Sequence, residues 1–165
     1  MIIHVSIPAK NPEKVAKVIA ELWGGEAFLF PPFPGAYTAM AGDHRGSAIE
    51  VYPHDMILRP AVGARDVEGV NCKPQTSFSA CHVAIETALT EEEVFSIADR
   101  ERWHCKSLRR GDVFGVIEFW VENSFMLEVF TSEMSDEYRS KVTIDGWRSM
   151  LNAGLEHRSE STASS

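Results

Sequence analysis

Apolar and polar residues recur along the chain with two periods, and the switches between them mark out the elements. From Ile2 to Ile7 the run is short and rich in β-branched residues, which predicts a strand. Asn11 then offers an N-cap oxygen and Pro12 suits the first helical position. Val15, Val18, Ile19 and Leu22 follow at helical spacing, and Gly24-Gly25 ends the helix. Residues 36–41 and 47–52 predict two strands around the turn GDHRG, and a weaker pattern near 27–30 adds another. The second half runs the same way. A strand covers Cys81 to Ile85, Thr90 and Glu93 form a capping box, and Val94, Ile97 and Ala98 mark a helix. Strands near 105–108, over 114–121 and over 125–130 follow, the last two joined through Glu122-Asn123-Ser124.

The stretch from Pro53 to Ser79 has little periodicity and carries Pro53, Pro60 and Pro74, so it is expected to be a connecting loop, of a length often used as a lid. After Met134, the apolar stripe Ile144, Trp147 and Leu151 predicts a C-terminal helix, and RSESTASS at 158–165 a disordered tail.

The two halves are related by more than element order. A shift of 78 residues lays IIHVSIPAKNPEKVAKVIAEL over ACHVAIETALTEEEVFSIADR without a gap, matching His4 to His82, Val5 to Val83 and Ile7 to Ile85. The same shift lays AIEVY over MLEVF, so Glu50 meets Glu128. The histidine and the glutamate are therefore 46 positions apart in both halves. The expected organisation is one α+β domain over residues 1–157 made of two βαβββ modules. Module one covers 1–56, a linker 57–78, module two 79–134 and a C-terminal helix 135–157.

Period-two alternation assigns these residues a face. Ile3, Val5 and Ile7 oppose His4 and Ser6; Cys81, Val83 and Ile85 oppose His82 and Ala84. Ile49 and Val51 oppose Glu50, as Leu127 and Val129 oppose Glu128. The apolar faces belong under the helices, which turns both histidines and both glutamates toward the other, concave side. Glu118 and Trp120 fall on that side, and Tyr52, Ala84, Met126 and Phe130 are expected to line it with them, making a candidate substrate site. One histidine or glutamate on the open face of a strand is ordinarily a solvated residue. The repeated pair is harder to read that way. Two imidazoles and two carboxylates suit a borderline divalent cation such as nickel, zinc, cobalt, manganese or iron(II).

Composition narrows the function classes. The chain has 165 residues, 44% of them hydrophobic and 24% charged, as in ordinary globular proteins. A net charge of −8 with no basic stretch beyond Arg109-Arg110 argues against nucleic acid or an anionic membrane as partner. No apolar run approaches the ~20 residues of a membrane span. The start lacks the basic and apolar regions of a signal peptide. Cys72, Cys81 and Cys105 are odd in number and lack metal-site spacing, which suits free thiols in a cytoplasmic protein.

Together the two βαβββ halves and the set His4, Glu50, His82 and Glu128 resemble the vicinal oxygen chelate superfamily, which includes glyoxalase I, extradiol dioxygenases and the fosfomycin and bleomycin resistance proteins. The resemblance covers about residues 1–134 and implies a cupped mixed sheet. It also implies that a divalent metal is held by His4, Glu50, His82 and Glu128 and chelates two adjacent oxygens of a small substrate. The implied chemistry is that of a lyase or isomerase acting through an enediolate, with Glu128 or Glu50 as catalytic base. The glutathione-binding arginines and the aromatic pair usual before the closing glycine of the first helix have no clear counterpart. An iron(II) dioxygenase using His4, His82 and Glu128 is the alternative, as is a resistance-type binding protein that relies on Trp120, Tyr52 and Phe130. The family implies a homodimer, with the site inside one chain or shared by a swapped pair.

Overall fold

A computed structural model describes residues 3–60, 67–73, 81–111 and 113–152. Each half follows from its local chemistry. In module one, β1 (His4–Ala9) leads into α1 (Pro12–Trp23), whose N-cap Asn11 accepts the Lys14 N–H at 3.0 Å. The helix buries Val15, Ala16, Val18, Ile19, Ala20 and Leu22 and ends at Gly24, in the left-handed conformation with φ 64°. β2 (Glu26–Leu29), β3 (Tyr37–Met40) and β4 (Ala48–Pro53) complete a mixed sheet of order β1-β4-β3-β2, in which β1 and β4 are parallel. A Cβ at Gly25 would lie 2.0 Å from the Met40 carbonyl oxygen, so the chain leaves the helix at a spot where only glycine fits.

Module two repeats this with β7 (Val83–Glu86), α2 (Glu91–Glu101), β8 (Cys105–Arg110), β9 (Phe114–Val121) and β10 (Phe125–Phe130), in the order β7-β10-β9-β8. The Thr90–Glu93 capping box forms, and α2 ends at Arg102 with φ 61°. Arg102 is 78 residues beyond Gly24, so both helices stop at matched positions in the same left-handed conformation. The parallel registers also match: Ser6 pairs with Glu50 and Ala84 with Glu128.

The apolar faces of both sheets and both helices form a single core that includes Ile7, Ile19, Leu22, Ile49, Val94, Phe119, Leu127 and Val129. Polar contacts tie the modules together at its rim. Glu122, in the β9–β10 turn, accepts the N–H groups of Lys10 and Asn11 at 2.6 and 2.8 Å, directly before α1. Thr87 donates its hydroxyl to the Leu22 carbonyl, Lys14 pairs with Glu101, and Arg100 pairs with Glu21.

Three features differ from the sequence expectation. First, β1 lies two residues later than expected: Ile3 is outside it and 58% exposed, and Cys81 likewise precedes β7. Second, the linker is not simply a loop. It contains the antiparallel ribbon β5 (Met56–Arg59) and β6 (Glu68–Asn71), whose strands are too short to leave a periodic signature. Third, the C-terminal helix is two helices. α3 (Ser132–Lys141) starts at the N-cap Thr131 and stops at Val142; α4 (residues 144–152) starts afresh where Thr143 Oγ1 accepts the Gly146 N–H. The stripe Ile144, Trp147 and Leu151 lies on α4 and is exposed. The expected tail at 158–165 lies outside the described residues.

Candidate functional site

The face opposite the core is the candidate site, and burial follows the expected alternation. Along β1, Ile7 and Ala9 are buried while His4, Ser6 and Pro8 are exposed. His4 Nε2 lies 3.8 Å from Glu50 Oε1. The other carboxylate oxygen is fixed by two neutral donors: Ser6 at 3.1 Å and the Tyr52 hydroxyl at 3.0 Å. Tyr52 is itself buried, its ring 6.1 Å from Phe30 and 5.2 Å from Phe33. Burial first, then the Glu50 hydrogen bond and charge, push its phenol up to about 12. The ribbon reaches this group as well, since Gly69 packs against the Phe33 ring. A chain of contacts thus runs from the linker through Phe33 and Tyr52 to Glu50.

In module two, Glu128 accepts from Arg110 Nη2 at 2.7 Å, and the same nitrogen donates to Glu118 at 3.0 Å. The hydrogen bond to Glu128 is the foremost of the contacts that raise the Arg110 pKa. His82 is exposed just before β7, beside the strand that carries Glu128. Trp120 and Met126 face each other in the β9–β10 register, both half-buried on this same side. Phe130 is 4% exposed, with ring centroids 5.8 Å from Phe114 and 5.1 Å from Tyr138 of α3. It is packed away under the C-terminal segment.

The sequence matches no protein-family model and no curated protein. Solved structures do match. A genomically encoded fosfomycin resistance protein from Listeria monocytogenes aligns with a TM-score of 0.54 at 11% identity, covering 83% of this chain and 97% of that one. A putative glyoxalase family protein from Bacillus anthracis aligns with a TM-score of 0.52 at 13% identity, covering 79% and 93%. A lactoylglutathione lyase from Agrobacterium tumefaciens aligns with a TM-score of 0.51 at 11% identity, covering 81% and 94%. The chain has the vicinal oxygen chelate fold.

Within that fold, His4 and Glu50 meet on β1 and β4, while Glu128 lies on β10 of the other sheet and His82 just before β7. Among the described residues, no three His, Cys, Asp or Glu side chains come together as a metal cluster. The module-one pair fits a cation by its donor chemistry. Zn–N and Zn–O bonds of about 2.0–2.2 Å sum to slightly more than the 3.8 Å between His4 Nε2 and Glu50 Oε1, so one ion can touch both. Ser6 and Tyr52, bonded to the far oxygen, are the outer partners that typically aim such a carboxylate. The module-two pair has suitable donors, but its carboxylate already has a cationic partner. Sequence reasoning missed Ser6 and Arg110 as partners of these glutamates and took Tyr52 for a substrate contact. Ser6 and Tyr52 carried a signal: alternation puts them on the face of His4 and Glu50. Arg110 carried none, because its meeting with Glu128 depends on the lengths of two hairpins.

Proposed function

We propose that the chain is a glyoxalase-like, metal-dependent enzyme that binds a small substrate through two adjacent oxygens and catalyses a lyase or isomerase reaction. The observation that carries this reading is the His4–Glu50 pair, with the second Glu50 oxygen held in place by Ser6 and Tyr52. A divalent cation bound there would polarise the substrate oxygens and make a neighbouring C–H bond more acidic. Glu50 is fixed by its two donors and serves to hold. Glu128, whose partner is a part-exposed arginine side chain, is the better group to take the proton from that carbon. Trp120 and Met126 supply apolar wall beside it.

The full set of two histidines and two glutamates assembles when the module-one face of one copy meets the module-two face of a second, as a homodimer. Phe28 and Met40, 44% and 38% exposed on the His4 face, support that pairing as apolar surface a partner would cover. Among the described residues no helix is long and apolar enough to cross a membrane. An odd number of cysteines, with Cys72 and Cys105 as thiols, goes with a cytoplasmic location in this reading.

The test is metal analysis and native mass on protein purified without chelator, for the parent, His4→Ala and Glu50→Gln. The reading expects a dimer holding close to one divalent ion per chain, with the metal lost from both variants. A parent that takes up no divalent metal would overturn it. Full metal retention in a monomer would overturn the shared site alone.

A further inference from the structure

The β9–β10 register sets Glu118 directly opposite Glu128. Cross-strand neighbours of this kind hold their Cβ atoms about 5 Å apart, where like charges repel. Both side chains are well shielded, 18% and 14% exposed, so water screens them poorly. Module one has no such clash: the residue opposite Glu50 is Thr38. The 78-residue shift would place Val116 opposite Glu128, but the tight turn at Glu122–Ser124 moves the pairing by two positions and brings Glu118 there instead.

Arg110, the last residue of β8, relieves the repulsion by donating one nitrogen to both carboxylates. Its side chain is 37% exposed, so the guanidinium can swing outward without opening the core. We propose that Arg110 is a displaceable internal cation, holding Glu128 until a divalent ion takes its place and thereby setting the site's affinity for that ion. This inference rests on the metal-dependent reading above. Arg110 acts through Glu128 and is a positioning residue. A divalent ion and the guanidinium satisfy the same charge, so each disfavours the other at Glu128. Glu118 keeps Arg110 tethered after release. The two halves treat a cation differently as a result: Glu50 is aimed by neutral donors that need not leave, whereas Glu128 must exchange one positive partner for another.

The test uses the full chain stripped with a chelator, with Zn2+ as the probe and a chromogenic chelator as competitor. Arg110→Gln and Arg110→Ala are expected to bind Zn2+ about tenfold more tightly than the parent, the order of one charge-assisted contact, while Arg110→Lys stays close to the parent. Melting is followed in parallel. Without Zn2+ the neutral variants should melt below the parent, and saturating Zn2+ should close the gap. A purely structural arginine would give weaker or unchanged binding in both neutral variants, which would overturn the proposal. Arg110→Gln keeps a donor between the carboxylates and covers the case in which Arg110→Ala does not fold. If the parent binds no Zn2+, the metal-dependent reading falls. If the parent binds and the neutral variants bind no better, Arg110 alone loses its assignment.

Discussion

Tyr52→Phe is the most informative single substitution, because it removes one oxygen and nothing else from the Glu50 site. The hydroxyl donates to Glu50 Oε2 at 3.0 Å from a tyrosine that is 7% exposed. Hydrogen bonds to a charged group contribute about 1.5–3 kcal/mol. Ser6 remains on the same oxygen at 3.1 Å and takes over part of the work, which places the loss near the lower figure. About 1.4 kcal/mol is a factor of ten in affinity, and losing an outer partner of a metal ligand costs on the order of ten- to a hundredfold. Both routes lead to roughly tenfold weaker Zn2+ binding in Tyr52→Phe, measured by chelator competition on stripped protein. The phenyl ring keeps its contacts with Phe30 and Phe33, so the loss of stability should stay near that of the one hydrogen bond, about 1.5 kcal/mol. Ser6→Ala and the double variant complete a cycle in which the two losses should be non-additive, since both donors serve one oxygen. Zn2+ affinity within twofold of the parent, in a protein that melts normally, would refute the idea that Tyr52 aims Glu50 at a cation.

Two further outcomes follow from the same structure. Because the Tyr52 phenol is pushed up to about 12 from 10.0, this residue stabilises the fold below pH ~10, and the contribution is lost as pH rises toward 12. The absorbance titration of phenolate, taken as the difference between parent and Tyr52→Phe, should show the raised value. Glu50→Gln should lower it only part of the way, because burial is the leading cause; an ordinary phenol in the folded parent would contradict this. Glu122→Ala removes a carboxylate from two N–H groups just ahead of α1 and unties the modules at one edge, which should cost about 1–2 kcal/mol. That corresponds to a fall in Tm of roughly 2–8 °C, and an unchanged Tm would show that the junction does not depend on this contact.

Much of the fold was legible because the relevant signals were local. Asn11-Pro12 and Thr90-x-x-Glu93 announce helix starts by capping chemistry that needs no distant partner. The alternation around His4, Glu50 and Glu128 fixes faces without knowledge of the tertiary structure. The repeat supplied what local signals could not, because matched spacing in two halves ties each first strand to its fourth. What stayed hidden depends on register and long-range contact. Arg110 reaches Glu128 only because two hairpins happen to have the lengths they have. The β5–β6 ribbon pairs four-residue strands, and the break at Val142-Thr143 interrupts a run whose composition is helical throughout. The distribution of Glu50 and Glu128 over two separate sheets was beyond pattern reading as well, since alternation gives a side chain's face but not how two sheets sit against each other.

Gly25 gives the duplication a direction. The position 78 residues later is Trp103, 8% exposed and edge-on to Phe119 at 5.8 Å, with Lys14 Nζ of the other module 5.8 Å from its ring centroid. Where one half tolerates no side chain at all, the other has grown the largest one and laid it at the seam between them. A chain built from two copies of module one would lack that indole, a void of the kind that costs about 3–5 kcal/mol when a buried aromatic is truncated. An indole placed at position 25 of module one would run into the Met40 carbonyl. Each half is shaped to fit the other, so the symmetry persists as a pattern in the sequence while the two halves are not interchangeable.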